Sequence, residues 1–142
     1  MGAKDLTRIK DLMGIAPAIR EVLASDDGGG VLVGLTNTVA FGDTAAKNLF
    51  VVPKGAIIVN VVVDVTTAFN SSGTDLLDIG KTGTANHFKD DLVVSAAGQT
   101  VTGWSNLGAM AADTQVIATY VQSVADASAG AARVTFICLI PE

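Results

Sequence analysis

From residue 31 onward, hydrophobic and polar residues alternate in several short runs along this chain. In "GVLVGLTNTVAFG", Val33, Leu35 and Val39 share one face, whereas Thr36 and Thr38 take the other. A period of two is typical of a strand with one buried face. Further short strands are indicated by the runs "KNLFVV", "LLDIG", "LVVSA", "TVTGW", "TQVIATYVQS" and "ARVTFICLI". With glycine-rich turns and no alternating helices, the pattern predicts an all-β fold, an antiparallel β-sandwich or jelly roll.

The longest apolar run lies in "VVPKGAIIVNVVVDVTTAFN", residues 51–70. The run itself extends from Gly55 to Ala68 and is shorter than the roughly 20 apolar residues that a membrane helix needs. Asn60 and Asp64 also interrupt it, so no membrane span is predicted. Strict alternation assigns the odd-numbered residues from Ile57 to Val65 to the interior. Ile58 and Val62 then fall on a mixed outer face and are predicted, together with Trp104, to pack against a sister subunit.

The polar stretch "GKTGTANHFKDD", residues 80–91, shows no clear period. It gathers glycine, charge and small polar groups, which are typical of surface connections. We therefore expect a long loop here, with at most one helical turn.

Residues 1–27 differ from the rest, because their apolar positions recur at steps of three and four. This spacing predicts a short helical N-terminal arm, which Gly14 and Pro17 kink or divide into two short helices. "SDDGGG", residues 25–30, is typical of a flexible joint. The predicted organisation is thus an arm over residues 1–27 and a β-sandwich domain over residues 28–142.

Charge and composition limit the partners. The chain has 142 residues with 9 Lys and Arg against 14 Asp and Glu, a net charge of -5. A nucleic-acid surface needs clustered cations, so neither nucleic acid nor an anionic membrane is predicted as a partner. The charged N-terminus predicts synthesis in a cytoplasm-like compartment. The single cysteine, Cys138, lies in "VTFICLI" and is predicted to be a buried thiol outside any disulfide.

Candidate chemistry is sparse. His87 is the only histidine, and no serine lies in a nucleophile elbow that it would serve. "GKTG" lacks the preceding glycine of a phosphate-binding loop and is better explained as a turn. Four loop carboxylates offer oxygen ligands for calcium, but their spacing matches no known calcium loop. These carboxylates are Asp75, Asp78, Asp90 and Asp91.

Trp104 and Tyr120 have the ring faces that a sugar-binding site uses, but both lie in apolar contexts that favour burial. No nucleophile and base form a recognisable pair in the sequence. We therefore predict that the protein is not an enzyme and uses no cofactor or metal.

The segment "LFVVPKGAIIVNVVVDVTTAFN", the "LLDIG" after it, and the later "ADTQVIATYVQ" and "AGAARVTFICLI" resemble small virion proteins of tailed bacteriophages. The likeness is to capsid cement or decoration proteins and covers roughly residues 36–140. It implies a β-sandwich that binds the major capsid protein on the exterior of the head as a homotrimer.

Within that setting, the arm is a candidate contact with the coat lattice. The arm would reach over neighbouring coat subunits and lay its apolar stripe in a groove, or three arms would bundle as a coiled coil on the trimer axis. The predicted coat-contact residues are Leu6, Ile9, Leu12, Met13 and Ile19. The alternative is a carbohydrate-binding or receptor-binding module of a fibre or tail, with Trp104, Asn86 and His87 as the residues to probe.

Overall fold

The computed structural model describes residues 30–103 and 108–141, which form two four-stranded antiparallel sheets. Sheet 1 has the strand order β1-β8-β3-β6, and sheet 2 has the order β2-β7-β4-β5. The strands are β1 (Val31–Ala40), β2 (Lys47–Val52), β3 (Ile57–Thr67), β4 (Asp75–Lys81), β5 (Thr84–Val93), β6 (Gly98–Val101), β7 (Thr114–Gln122) and β8 (Ala131–Ile140). The all-β prediction is confirmed, and the strand order matches that expected of an eight-stranded jelly roll. Within the described ranges, no helix is long and apolar enough to cross a membrane.

The core lies between the two sheets and is centred on Phe136 of β8. Its ring meets Phe50 of β2 edge-on at a centroid distance of 5.2 Å and Phe88 of β5 at 4.9 Å. Cys138, two residues further along β8, is fully buried, and burial raises the pKa of its thiol to about 11. Cys138 is therefore a protonated core residue, as its apolar neighbours predict.

Strand β3 departs from strict alternation at one point. Its pairing with β8 shifts between Ile58 and Asn60, so that an extra residue, Val59, stands opposite the partner strand. A bulge of this kind reverses which side chains point inward. Ile58 is 1% exposed in the core, whereas Val59 is 45% exposed. The prediction that Ile58 faces a sister subunit is therefore wrong, because the bulge turns its side chain into the sandwich.

The prediction of a loop over residues 80–91 is also wrong, because this segment forms the end of β4, a turn and most of β5. Lys81 pairs with Thr84 across a turn in which Gly83 has a φ of 88°. A Cβ on Gly80 would lie 2.1 Å from the Thr84 carbonyl oxygen, so glycine is required where the strands approach. The register of β5 shifts twice against β4. These shifts and the exposed edge position conceal the period of two.

The bulge in β3 makes Ile58 and Val59 a direct test of the fold. Ile58→Ala should lower the free energy of unfolding by about 2–5 kcal/mol, because it empties a core site. Val59→Ala should cost about 1 kcal/mol or less, since its side chain is exposed. Urea denaturation of both variants measures the difference. Strict alternation would bury Val59 instead of Ile58, so Val59→Ala would then be the more destabilising variant. That result would contradict the bulge.

Candidate interaction surface

The outer face of sheet 1 is apolar at one end of its strands. In one row across the sheet, Leu32 stands opposite Leu139, which stands opposite Ile57. Further along, Val62 is the partner of Val101 on β6. We call this surface the apolar half-face, and it comprises Leu32, Ile57, Val59, Val62, Val101, Ile137 and Leu139. Leu32, Val59 and Val101 are between 39% and 56% exposed.

The other end of the same face is polar. Thr38 pairs with Arg133, and Arg133 pairs in turn with Asp64 of β3. Between the two ends, the Thr135 hydroxyl lies 3.0 Å from the hydroxyl of Thr36 in a hydrogen bond. Aliphatic side chains therefore predominate at the Leu32 end, Val62 and Val101 share the row of the two threonines, and charged or polar side chains lie beyond that row. A contiguous exposed apolar area on one side of a monomer marks an interaction site.

The N-terminal segment joins the sandwich at the apolar half-face. Gly30 immediately precedes β1, and a Cβ at Gly30 would lie 2.8 Å from Leu139 Cδ1. The backbone of Gly30 therefore passes against a residue of the half-face. Residues before Gly30 begin at this end of sheet 1.

The predicted contact residues divide into three groups. Val62 is half-buried on the half-face, opposite Val101 and Thr135, and its contact with a sister subunit stays a prediction. Ile58 is in the core and is excluded from that surface. The remaining predicted residues lie outside the described ranges, namely Leu6, Ile9, Leu12, Met13, Ile19 and Trp104.

The carboxylates considered for calcium do not form one group. Asp78, Asp90 and Asp91 each place an oxygen within 4.8 Å of the others, and the Asp91 N–H donates to Asp78 Oδ1 at 2.9 Å. Burial, with the neighbouring charges of Asp90 and Asp91, raises the pKa of Asp78. Such acidic groups are common on protein surfaces without an ion, and the trio by itself assigns no metal site.

Asp75 lies apart from that trio, on the inner side of the sandwich, where its carboxylate is 4% exposed. The hydroxyl of Tyr120 and the backbone N–H of Ser71 both donate to Asp75 Oδ1. Burial alone would raise the pKa of Asp75, but these hydrogen bonds lower it by more, and the net pKa lies below its usual value. Asp75 therefore anchors the loop before β4 instead of offering a metal ligand.

Tyr120 is unavailable to a sugar, because it is 1% exposed and its ring packs on Phe69 with centroids 4.6 Å apart. Burial and the hydrogen bond to Asp75 raise the pKa of its hydroxyl to about 12. The expectation that Tyr120 is a core residue is confirmed. Pairing of Tyr120 with Asp75 was not predictable from their spacing, because the two residues are 45 positions apart.

His87 lies on the exposed edge strand β5, not in a loop. Its ring meets Phe88 edge-on with centroids 4.8 Å apart. Partial burial and the charge of Lys81 lower the pKa of His87. The imidazole is therefore part of the exposed surface of β5, in contact with Phe88.

Comparisons with known proteins give matches to solved structures. No protein-family model matches the sequence, and no curated protein matches it significantly. The fold is similar to a chain of the cyanophage Pam1 capsid asymmetric unit, with a TM-score of 0.68 and 20% identity over 83% of this chain and 91% of that chain. A chain of the acid-stable capsid of Helicobacter pylori bacteriophage KHP30 gives a TM-score of 0.65 and 18% identity over 80% of this chain and 91% of that chain.

A third match is to a chain of the capsid of Ralstonia phage GP4, with a TM-score of 0.59 and 16% identity over 82% of this chain and 88% of that chain. At such identities the similarity establishes a shared fold. Since most of this chain and most of each matched chain are covered, the three matched chains are close to this one in length. The class that the comparisons define is a small β-sandwich of a kind found in phage capsids.

The Asp75–Tyr120 pair predicts how stability changes with pH. A carboxyl whose pKa is lowered by folding stabilises the native state above its unfolded pKa, and this contribution is lost as pH falls below about 4. A tyrosine whose pKa is raised to about 12 contributes stability that is lost as pH rises from about 10 through that value. Asp75→Asn should reduce the loss of unfolding free energy at acid pH, as measured by urea denaturation at a series of pH values.

Tyr120→Phe is the companion variant. It should remove the alkaline loss and cost about 1–3 kcal/mol near pH 7, because a buried carboxylate loses a donor. If Asp75→Asn retained the full acid dependence of the wild-type chain, the assigned role of this pair would be contradicted.

Proposed function

We propose that this protein is a structural component of a tailed-phage virion that binds the exterior of the capsid and stabilises the coat lattice. The observation that carries the proposal is the shared fold with chains of comparable length in three phage capsids. The matches span 88–91% of those chains, which favours a building block of the same kind.

The surface supports a binding role. The apolar half-face leaves aliphatic side chains in solvent on an otherwise well-packed jelly-roll sandwich. Such an area is costly in a monomer and is removed from water when the protein joins an assembly. The major capsid protein and further copies of this chain are the partners that a capsid offers.

Self-association as a homotrimer is part of the proposal. Closed cyclic symmetry is the usual arrangement of identical chains, and a trimer fits the local threefold positions of an icosahedral coat. Val62, at the border of the apolar half-face where it stands opposite Thr135 and Val101, is the first proposed interface residue. Trp104 follows β6 by three residues in the sequence and is the second proposed interface residue.

The arm is the proposed contact with the coat protein. Three arms on one trimer would bind together, so that weak individual contacts add to strong binding. The proposed contact residues are Leu6, Ile9, Leu12, Met13 and Ile19.

Removal of residues 1–27 tests this function. We expect the truncated protein to keep its β-sheet circular dichroism spectrum and to lose binding to purified heads that lack the protein, as measured by co-sedimentation. The full-length chain is the control and should bind until its sites are filled. Full occupancy of heads by the truncated protein would contradict the arm contact, and failure of the full-length chain to bind would contradict the capsid role itself.

A further inference from the structure

The apolar half-face lies at the point where the N-terminal segment leaves the sandwich. Leu139 is a member of the half-face and touches the backbone at Gly30. Leu32, another member, is only two residues further along the chain. Any chain that precedes Gly30 therefore starts at the border of this surface, not at the polar end of sheet 1.

The first residues carry an apolar pattern suited to such a surface. From residue 6 to residue 23, aliphatic side chains recur at steps of three and four, with charged side chains between them. The half-face is likewise aliphatic, and its polar neighbours include Asn60 beside the β3 bulge and Thr135 opposite Val62. Apolar surfaces of this kind are complementary, because burying both removes them from water.

The glycine-rich joint between the apolar stripe and β1 is long enough to let the stripe reach the half-face. Residues 25–30 form a six-residue, glycine-rich stretch. At up to about 3.5 Å per extended residue, the joint spans roughly 20 Å. Neighbouring strands are about 4.8 Å apart, so the half-face from β1 to β6 is only about 14 Å wide. The stripe can therefore reach every residue of the half-face.

Tethering decides between the possible occupants. A segment joined through a short flexible linker is present at an effective concentration on the order of millimolar. A second copy or a coat subunit must bind from dilute solution, where it competes poorly with a tethered apolar segment. Before the protein meets a capsid, its own N-terminal segment is the favoured partner of the half-face.

We propose that residues 6–23 dock on the apolar half-face of the same chain in the free protein. Docking covers the aliphatic side chains of Leu32, Val59, Val62 and Val101 and leaves the Arg133 end of sheet 1 in solvent. One further consequence rests on the proposed function. A single stripe cannot occupy the half-face while a sister subunit or the coat takes its place, so trimer assembly and capsid binding would each displace the docked segment.

The test uses the full-length chain in solution without capsids. Methyl groups are observed by NMR in the presence of a soluble gadolinium complex, which relaxes solvent-exposed methyls. The valines Val51 and Val93, 49% and 64% exposed on sheet 2, are the internal reference for methyls in open solvent. We expect the methyls of the exposed half-face residues Leu32, Val59 and Val101 to relax more slowly than this reference, independently of protein concentration.

Two double variants identify the occupant. Ile9→Asp with Leu12→Asp places charges on the stripe and should bring the methyls of Leu32, Val59 and Val101 toward the relaxation rates of Val51 and Val93. Thr7→Asp with Ala18→Asp adds the same charge away from the stripe and should leave the half-face protected. Gly30 and the strands are unchanged in both variants.

Three results would overturn the proposal. Half-face methyls that relax like the reference in the wild-type chain would show that nothing covers them. Protection that persists in Ile9→Asp with Leu12→Asp would assign the cover to another part of the chain. Protection that is lost on dilution would assign it to a second copy. None of these results bears on whether the protein binds capsids, which the head-binding experiment measures separately.

Discussion

The structure depends on burying one face of each sheet against the other. Phe136 stands at the centre of this contact, because its ring meets Phe50 and Phe88 from the opposite sheet. Once that face is buried, each strand has only one face left for solvent or partners. The side on which a given residue lies is then set by register, so a single bulge decides whether an aliphatic side chain stabilises the core or offers a contact.

Regular alternation made much of this fold predictable. β8 has Val134, Phe136 and Cys138 on one face, as its sequence indicates, and all three are fully buried. The β3 bulge was not predictable, because a run of valine and isoleucine reads as apolar in either register. The β4–β5 hairpin was concealed for a different reason. Its edge strand exposes most of its side chains, and two register shifts break the period that reveals a strand.

The candidate surface was predictable only in part. Val62 was assigned to an outer face from alternation alone, whereas the grouping of aliphatic residues from β1, β8, β3 and β6 requires the strand order. Leu32 and Leu139 are over a hundred residues apart in sequence, yet they are direct partners across the sheet. The pairing of Asp75 with Tyr120 has the same origin. Loop carboxylates and apolar aromatics gave no sign of it until both were placed in the fold.

A sandwich with one apolar end and an apolar segment beginning beside it has two surfaces suited to an assembly. In the proposed function, both surfaces are used on the capsid. Cryo-electron microscopy of the native virion tests this most directly. The account predicts sandwich-shaped density on the outside of the head, with Val62 and the rest of the half-face covered by protein. A head whose exterior lacks this sandwich, or one that leaves the half-face in solvent, would contradict it.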